Sequence, residues 1–386
     1  MSHPHTLGQK SEVFLEGTSN TAECIRDKWS HLFSQTIRPG DKVLIKPNFT
    51  GGGAPDRGIS VHPQVVEAAV SLATEVGAGE ITIAEDDVTT SQGIPVFQAF
   101  SLDTIAQKYG ARLVDMKTGR YLPAKIANDF IDEDLHICEE ILRCDKLISL
   151  TTLKTHHQAV ITVALKNMYS NIPGPVRQKY HRADLERAIV AINLVRKADL
   201  SIIDGVIAAE GMGPGGAIPV RMDLALAGTD PVAIDAVAAR LMGFDPKRTR
   251  TLVLAQLTGL GEAEADKIEV RGESIEACAK IFRGPLDIMR EIYAGYIDIS
   301  HDLRNSGYSG VIATGLSSLR AQFKKSKESF KGLQIVAGDH PGLHRPDDKT
   351  ISVGNCDYEF DDHRNFTGKG FFTVDEFAKF VLNVLE

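Results

Sequence analysis

The amino-acid sequence predicts an α/β fold in which a mostly parallel β-sheet carries helices on both faces. Short apolar runs that read as strands alternate along the chain with longer amphipathic segments that read as helices, beginning with residues 42–45 and 62–76. Parallel strands need a long crossover, usually a helix, so this alternation is typical of a parallel sheet. Proline and glycine residues mark the ends of these segments, as expected at element boundaries.

The first two elements follow directly from these signals. Strand 42–45 lies between the turn residues Pro39-Gly40 and Pro47, and Pro63 suits the first turn of helix 62–76. The remaining strands are short apolar runs, and the remaining helices are longer amphipathic stretches. Further predicted strands are residues 80–84, 112–115, 146–150, 200–203 and 223–227, and further predicted helices are residues 96–109, 184–197 and 231–242.

Helix 231–242 has the clearest ends. Asp230 or Thr229 is placed to cap it, Pro231 occupies the first helical position, and Gly243 closes it. Beyond about residue 250 the pattern loosens into shorter segments. The later predicted elements are a basic helix at 316–330, short strands at 334–338 and 350–353, and an amphipathic helix at 373–385. We therefore expect an α/β core over residues 1–255 and a smaller α+β C-terminal extension over residues 256–386.

Composition narrows the class of protein. The 386 residues carry a formal net charge of -8, which argues against a nucleic-acid binder, because such proteins usually have a basic domain. No run approaches 18 consecutive apolar residues, so we expect no membrane span. The N-terminal residues lack the apolar core of a signal peptide, so we expect a cytoplasmic protein.

The cysteines argue against two kinds of site. They are scattered and odd in number, and none forms a CxxC pair, so we expect neither an iron–sulfur cluster nor a zinc site built from thiolates. The cysteines are Cys24, Cys138, Cys144, Cys278 and Cys356.

An acid-free segment stands out in this acidic chain. Residues 146–183 contain no Asp or Glu, although apolar runs thread through them. Buried cations without nearby carboxylates need another anion, and a bound ligand would supply it. Alternatively, acids from elsewhere in the chain pair with these cations. The fixed cations of the segment are Lys146, Lys154, Lys166, Arg177, Lys179 and Arg182.

Ligands of open α/β sheets bind beyond the carboxyl ends of the strands, so the residues after each strand are the candidates. Strand 42–45 is followed by Lys46, Asn48 and three glycines at 51–53, which can bring backbone N–H groups to an anion. No GK[ST] follows these glycines, so they do not form a P-loop. A flexible loop is the alternative interpretation.

Three carboxylates follow the next strand. Glu85, Asp86 and Asp87 could bind a divalent metal, act as a general base or pair with the central cations. A solvated acidic turn is the alternative.

Strand 146–150 leads to a candidate anion site. Thr155 and Gln158 have the spacing of a capping box, which predicts a helix that starts at His156. Lys154 beside that helix start would cradle an anion. Adjacent histidines cannot both face one way on a helix, so we favour His156 over His157 as the catalytic residue.

Lys166 and Asn167 pose a geometric problem. They lie twelve residues or more after Lys154, which on one straight helix is roughly 18 Å, too far to share a small ligand. The β-branched residues at 160–163 weaken the helix prediction. Either the chain bends back or Lys166 belongs to another part of the site.

The strand at 200–203 is followed by Asp204, Glu210 and a glycine loop that includes Gly213. The glycines at 211, 213 and 216 match GxGxxG literally, but they follow the strand end at a distance and lead to another strand. We therefore expect no dinucleotide site. A loop that covers a ligand fits better, with Asp204 or Glu210 as a catalytic or metal-binding carboxylate.

These strand-end motifs together resemble the bacterial and archaeal family of unknown function called DUF362. The ordered set is fairly specific, whereas any single motif is weak. The chain departs from many family members, which carry clustered cysteines in a ferredoxin-like module or tail. The motifs are KPN (46–48), LKTH (153–156), LKN (165–167), DG (204–205), EGMGPGG (210–216) and GTDPVAIDA (228–236). The resemblance implies a shared polar site at Lys46, Asn48, Lys154, His156, Lys166, Asn167, Asp204 and Asp230.

The leading hypothesis is an enzyme of isomerase or lyase type that acts on a small anionic metabolite, a carboxylate or phosphate. Lysines would bind the anion, and a histidine or lysine would move a proton against an opposing carboxylate. The predicted catalytic residues are His156, Lys166, Asp204 and Glu210, and the predicted substrate-binding residues are Lys46, Asn48, Lys154, Asn167, Gly213 and Asp230.

Two alternatives remain open. One is a metal-dependent enzyme that uses Glu85, Asp86 and Asp87 with His156 and Asp204. The other is a non-catalytic protein that binds a ligand or cofactor.

Overall fold

The computed structural model describes residues 10–50, 53–86, 90, 92–126, 131, 135–301, 309–337, 350–353 and 374–385. The strands are β1 Ser11–Gly17, β2 Lys42–Lys46, β3 Glu80–Glu85, β4 Arg112–Asp115, β5 Tyr121–Ala124, β6 Leu135–Cys138, β7 Lys146–His156, β8 Val160–Thr162, β9 Leu200–Met212, β10 Gly216–Gly228, β11 Ile268–Gly272, β12 Ile297–Ile299, β13 Leu333–Ala337 and β14 Thr350–Val353. The helices are α1 Thr21–Asp27, α2 Ser30–Thr36, α3 Pro63–Glu75, α4 Val96–Ala99, α5 Leu102–Tyr109, α6 Glu139–Arg143, α7 Ala164–Asn167, α8 Gly174–Arg182, α9 Leu185–Val195, α10 Pro231–Leu241, α11 Arg250–Leu257, α12 Ile275–Cys278, α13 Pro285–Ile292, α14 Ser309–Ser318, α15 Arg320–Lys325 and α16 Val374–Leu385.

The main sheet has the strand order β11-β1-β10-β9-β7-β2-β3-β4, with β8 paired to β7. The pairings of β1 with β11, β2 with β3 and β7, β3 with β4, and β7 with β9 are parallel. β10 is antiparallel to both of its neighbours, and β8 is antiparallel to β7. The prediction of a mostly parallel α/β sheet is confirmed.

Two hydrophobic cores cover the two faces of this sheet. Along β2, Val43 and Ile45 pack into the core under α1 to α5, whereas Leu44 packs into the core under α7, α9, α10 and α11. Successive side chains of a strand point to opposite faces, so a strand buried on both sides is apolar throughout. This explains why the predicted parallel strands appear in the sequence as continuous apolar runs.

The sequence placed most core elements correctly. The predicted strands between residues 42 and 227 are all present, and the predicted helices at 62–76, 184–197 and 231–242 correspond to α3, α9 and α10. The helix predicted at 96–109 is two helices, α4 and α5, because Ser101 between them has a φ of 55° and breaks the helical path.

The prediction of a helix that starts at His156 is wrong. β7 continues through His156, and the chain then turns back into β8, which pairs Lys154 with Thr162 and His156 with Val160. The β-branched residues of β8 favour a strand, and pairing with β7 outweighs the capping-box spacing. This hairpin folds the acid-free segment back on itself.

The C-terminal part contains a small parallel sheet in the order β12-β13-β14. Its core is separate and includes Leu286, Tyr293, Leu316, Phe330 and Phe377. β11, however, lies beside β1 in the main sheet. We therefore propose that the extension begins near residue 285, later than the boundary at 255 suggested by the sequence.

Candidate functional site

A cavity of about 460 Å³ lies beyond the carboxyl ends of β2, β3 and β7. Residues that follow each of these strands line it, together with residues of α7 and α8. Parallel strands bring their carboxyl ends to one edge of a sheet, which is where open α/β proteins bind ligands. The cavity therefore lies at the carboxyl edge of the sheet, and Lys154, His156 and Lys166 are among the predicted residues that line it.

Lys154 lies in the wall of this cavity and is 1% exposed. Its Nζ donates to Asn48 Oδ1, to Thr50 Oγ1 at 3.2 Å and to the carbonyl oxygen of Ile59 at 2.6 Å. Burial lowers the pKa of Lys154 to about 7, and the charge of Lys166 adds to this effect. The three oxygen acceptors use all three N–H groups of an ammonium, which favours the charged form. Lys154 thus contributes positive charge while it ties the β2 loop to β7.

Lys166 lines the same cavity from α7 and is half-buried. Its Nζ lies 5.4 Å from the centre of the Tyr169 ring, a cation–π contact. Burial lowers the pKa of Lys166 to about 8, with a further contribution from the charge of Arg177. The β7–β8 hairpin brings Lys166 to the site of Lys154, which answers the question of their spacing in the sequence.

The carboxylates near the cavity are already paired with other cations. Glu85 accepts from Lys46 Nζ at 3.0 Å, with both side chains buried, and Asp86 pairs with Arg177 at 2.5 Å. Within the described ranges, no carboxylate lies within 4.0 Å of the Nζ of Lys166. Acids elsewhere in the chain therefore balance part of the acid-free segment, and the cavity keeps an excess of positive charge.

Two histidines at the end of β7 line the cavity in different tautomers. His156 Nδ1 accepts from the backbone N–H groups of Gln158 and Ala159, both at 3.1 Å, so its hydrogen sits on Nε2. His157 Nδ1 lies 2.9 Å from the carbonyl oxygen of Gly213, and because a carbonyl can only accept, this nitrogen carries the hydrogen. Nε2 of His157 therefore keeps its lone pair, and His157 has the tautomer that a general base requires.

The histidine rings are held neutral. Burial is the main cause that lowers the pKa of both His156 and His157, and the charge of Lys166 lowers both further. The two rings stack with centroids 4.3 Å apart. The ring centroid of His181, on α8, lies 6.3 Å from that of His157. Burial lowers the pKa of His181 to about 4. Both adjacent histidines face the cavity because they lie at a strand end and turn, where the helix geometry assumed from the sequence does not apply.

Asn167 links the strands below the cavity. Its Nδ2 donates to Ser149 Oγ at 2.9 Å and to the carbonyl oxygen of Lys46 at 3.3 Å. Its Oδ1 is buried and, among the described residues, has no hydrogen-bond partner. Asp235 accepts from the backbone N–H of Ala164 at 2.7 Å and so fixes the start of α7. The hydrogen bonds of Asn167 to β2 and β7, together with the cap from Asp235, therefore fix the position of the LKN motif (165–167) at the cavity.

In the part of the chain that the structure describes, no group of three or more His, Cys, Asp or Glu side chains is arranged to hold a metal ion. Glu85 and Asp86 face cations, and Asp87 lies outside the described residues.

The predicted site residues Lys46, Asp204, Glu210 and Asp230 do not line this cavity. Lys46 is fully buried and pairs with Glu85. Asp204 accepts from Thr21 Oγ1 at 2.7 Å and lines another cavity, and Glu210 pairs with Arg283 at 2.8 Å. Asp230 caps α10 through Val232 at 2.9 Å.

Gly213 contributes through its backbone. Its carbonyl oxygen accepts from both the main-chain N–H and the ring of His157. A Cβ at this position would lie 2.3 Å from the carbonyl oxygen of Thr155, so only glycine allows this approach. Gly213 therefore orients His157.

Sequence reasoning missed the roles of His157, Arg177, His181 and Tyr169, all of which line the cavity. All four lie in the acid-free segment 146–183, and three of them carry a charge or an imidazole ring, so the segment itself was the available signal. Only the hairpin shows that they converge.

A family model described as "Domain of unknown function (DUF362)" matches residues 43–240, just over half of the chain. The chain belongs to the DUF362 family. Over 236 residues, this DUF362 protein is 29% identical to the thylakoid-associated protein sll1697 of Synechocystis sp., covering 60% of this chain and 72% of that protein. No helix within the described ranges is both long and apolar enough to cross a bilayer.

Two solved structures resemble the DUF362 protein more loosely. A crystal structure of a protein from Thermotoga maritima aligns with a TM-score of 0.34 and 13% identity over 56% of this chain and 57% of that chain. The lactate racemase apoprotein from Thermoanaerobacterium thermosaccharolyticum aligns with a TM-score of 0.40 and 11% identity over 97% of this chain and 90% of that chain. The function named for either of these two proteins is not assigned to the DUF362 protein.

Proposed function

We infer that this protein is an enzyme that binds a small carboxylate or phosphate in the cavity and moves a proton on it. The observation that carries this proposal is Lys166, a half-buried cation in the cavity wall that forms no salt bridge within 4.0 Å with a described carboxylate; the nearby Glu186 is paired with Arg250. Burying a charge is unfavourable unless an opposite charge accompanies it. A bound anion would supply that charge.

The cavity residues divide the work. Asn48, Thr50 and Ile59 accept the N–H groups of Lys154, so that lysine has none left for a ligand. Lys166 does not donate to these three acceptors and would contact the anion directly. Lys154 would strengthen the positive potential from behind the loop that holds Asn48. Donors aimed at a developing negative charge stabilise it most strongly where water is excluded.

His157 would act as the general base through Nε2, and His156 would donate a hydrogen bond from its own Nε2. A general base must be in its neutral form at the working pH, and the lowered pKa of His157 keeps the ring neutral near pH 7. Proton transfer next to a bound carboxylate or phosphate suits an isomerase or lyase. Asp204 and Glu210 are replaced in this proposal because neither lines the cavity.

The test combines binding and exchange. The protein would be incubated in deuterated water with a panel of small carboxylates and phosphates, and mass spectrometry would report both bound compounds and deuterium incorporated into them. We expect one compound to bind and to exchange a C–H proton. Binding without exchange would favour a non-catalytic ligand-binding protein, and binding of none would refute the anion site.

Matched histidine variants locate the base. His157→Asn keeps a donor for Gly213 and removes the base, so exchange should slow about 10²- to 10⁴-fold while affinity holds. His156→Asn should change exchange less than His157→Asn does. The reverse order would transfer the base to His156.

A further inference from the structure

A second cavity, of about 760 Å³, adjoins the first. Thr50 and Pro214 line both cavities, so the two meet across these residues. Thr50 is also the residue whose hydroxyl accepts from Lys154, which places the junction next to the cationic wall. The two cavities therefore adjoin each other at Thr50 and Pro214.

The lining of the second cavity carries fewer charged side chains than that of the first. Ile59, Pro63, Ala99 and Phe100 contribute uncharged surface, and no Asp or Glu is among the described residues that line it. Arg57 is the one Lys or Arg among these described residues; unlike Lys166 it is exposed to solvent, and its Nη2 donates to the carbonyl oxygen of Ala217 at 3.2 Å. Surface of this kind favours an uncharged group over a second charged one.

The sizes point to a ligand larger than a simple anion. A cavity of about 150 Å³ already holds a benzene ring. The first cavity, at about 460 Å³, therefore accommodates a carboxylate or phosphate with several further atoms. A longer ligand would reach Thr50 and continue into the second cavity.

We propose that the ligand is an anion extended by an uncharged, largely apolar group, with the anionic group beside Lys166 and the extension in the second cavity. The inference rests on the proposed function, since it takes the anion at Lys166 as given. It adds a substrate class: a carboxylate or phosphate ester with an apolar tail or ring.

The experiment measures how affinity depends on chain length. Methyl, butyl and hexyl phosphate, and the matching acetate, pentanoate and heptanoate, would be titrated by calorimetry at one pH and salt concentration. Each buried methylene strengthens binding by about fourfold. We expect at least one series to tighten by about tenfold or more from its shortest to its longest member.

Two exposed helical alanines give matched variants. Ala99→Trp places an indole in the second cavity and should remove the gain with length while leaving methyl phosphate or acetate within about twofold. Ala277→Trp, on α12 outside both cavities, should keep the full gain.

Each outcome decides between the two proposals. Binding of the shortest probes with no gain in length would overturn the extension and leave the anion site intact. A gain that survives Ala99→Trp would place the chain elsewhere and also overturn the extension. Binding of no probe in either series would overturn the extension and the proposed function together.

Discussion

Replacing Lys166 with methionine should raise the free energy of unfolding of the ligand-free protein and weaken its affinity for the anion. Methionine is close to lysine in shape and carries no charge. Burial lowers the pKa of Lys166 from 10.5 to about 8. At about 1.4 kcal/mol per pH unit, keeping this ammonium in the folded protein costs up to about 3 kcal/mol.

The sign of this effect depends on pH. The folded-state pKa lies below the unfolded one, so the cost is fully present below about pH 8 and disappears as the pH rises toward 10.5. Lys166→Met should therefore exceed the wild type in free energy of unfolding by up to about 3 kcal/mol at pH 7, and the two should converge near pH 10.5. Urea unfolding followed by circular dichroism at several pH values measures this difference.

Lys146→Met is the control. Lys146 is a half-buried lysine of β7 outside the cavity, and its Nζ lies 4.0 Å from Asp199. Removing this pair should change stability by about 1 kcal/mol or less and leave anion affinity unchanged.

In calorimetry with a bound anion, Lys166→Met should weaken affinity about 10- to 150-fold, the loss of one charge-assisted hydrogen bond. A variant that is less stable than the wild type at pH 7 would show that Lys166 has a structural partner. An unchanged affinity would show that the anion binds elsewhere. Either result would refute the reasoning.

Three further predictions follow from the geometry. The affinity of the wild type for an anion should fall as the pH rises from about 7, where Lys154 begins to lose its charge, and further above about 8, where Lys166 loses its own; calorimetry between pH 7 and 10 tests this, and a flat profile would contradict it. Gly213→Ala should lower the free energy of unfolding by about 1–3 kcal/mol, because its Cβ would lie 2.3 Å from the carbonyl oxygen of Thr155. Gly215→Ala, with open space around the added Cβ, should not, and equal melting temperatures for the two variants would argue against this contact. Asp230→Asn should cost about 1–3 kcal/mol of stability, since one of its two accepting oxygens becomes a donor, while anion affinity stays unchanged; weaker binding would return Asp230 to the site.

The sequence predicted the strands of the core well because they are buried on both faces. Residues 42–45 and 146–150 are apolar runs between turn signals, and local patterns are enough to find them. β1 escaped prediction because its sequence, SEVFLEG, is not a continuous apolar run: the buried Val13 and Leu15 alternate with more exposed residues. Its partners β10 and β11, more than 200 residues away in the chain, cover it in the folded protein.

The sequence indicated the edge of the sheet at which the candidate site lies, but not how its side chains are arranged. Lys154 and Lys166 were identified, but their convergence depends on the β7–β8 hairpin, which the spacing of Thr155 and Gln158 concealed. The tautomers of His156 and His157 depend on which backbone groups face each ring, and a sequence does not record this. Asp204 was expected to follow a strand end, but β9 continues through it to Met212, and its carboxylate faces Thr21 and a different cavity.

The position of β1 also sets an order of events during synthesis. Val13 pairs with Gly228, and at roughly 5–20 residues per second the ribosome needs about 10 to 40 s to make the chain between them. Throughout that interval β1 has no strand to join, although its alternate side chains Val13 and Leu15 are fully buried in the finished protein. If the segment 43–240 were expressed alone, β10 would lack its neighbour β1. The edge of β10 that β1 covers would then be open to pairing with any strand in solution.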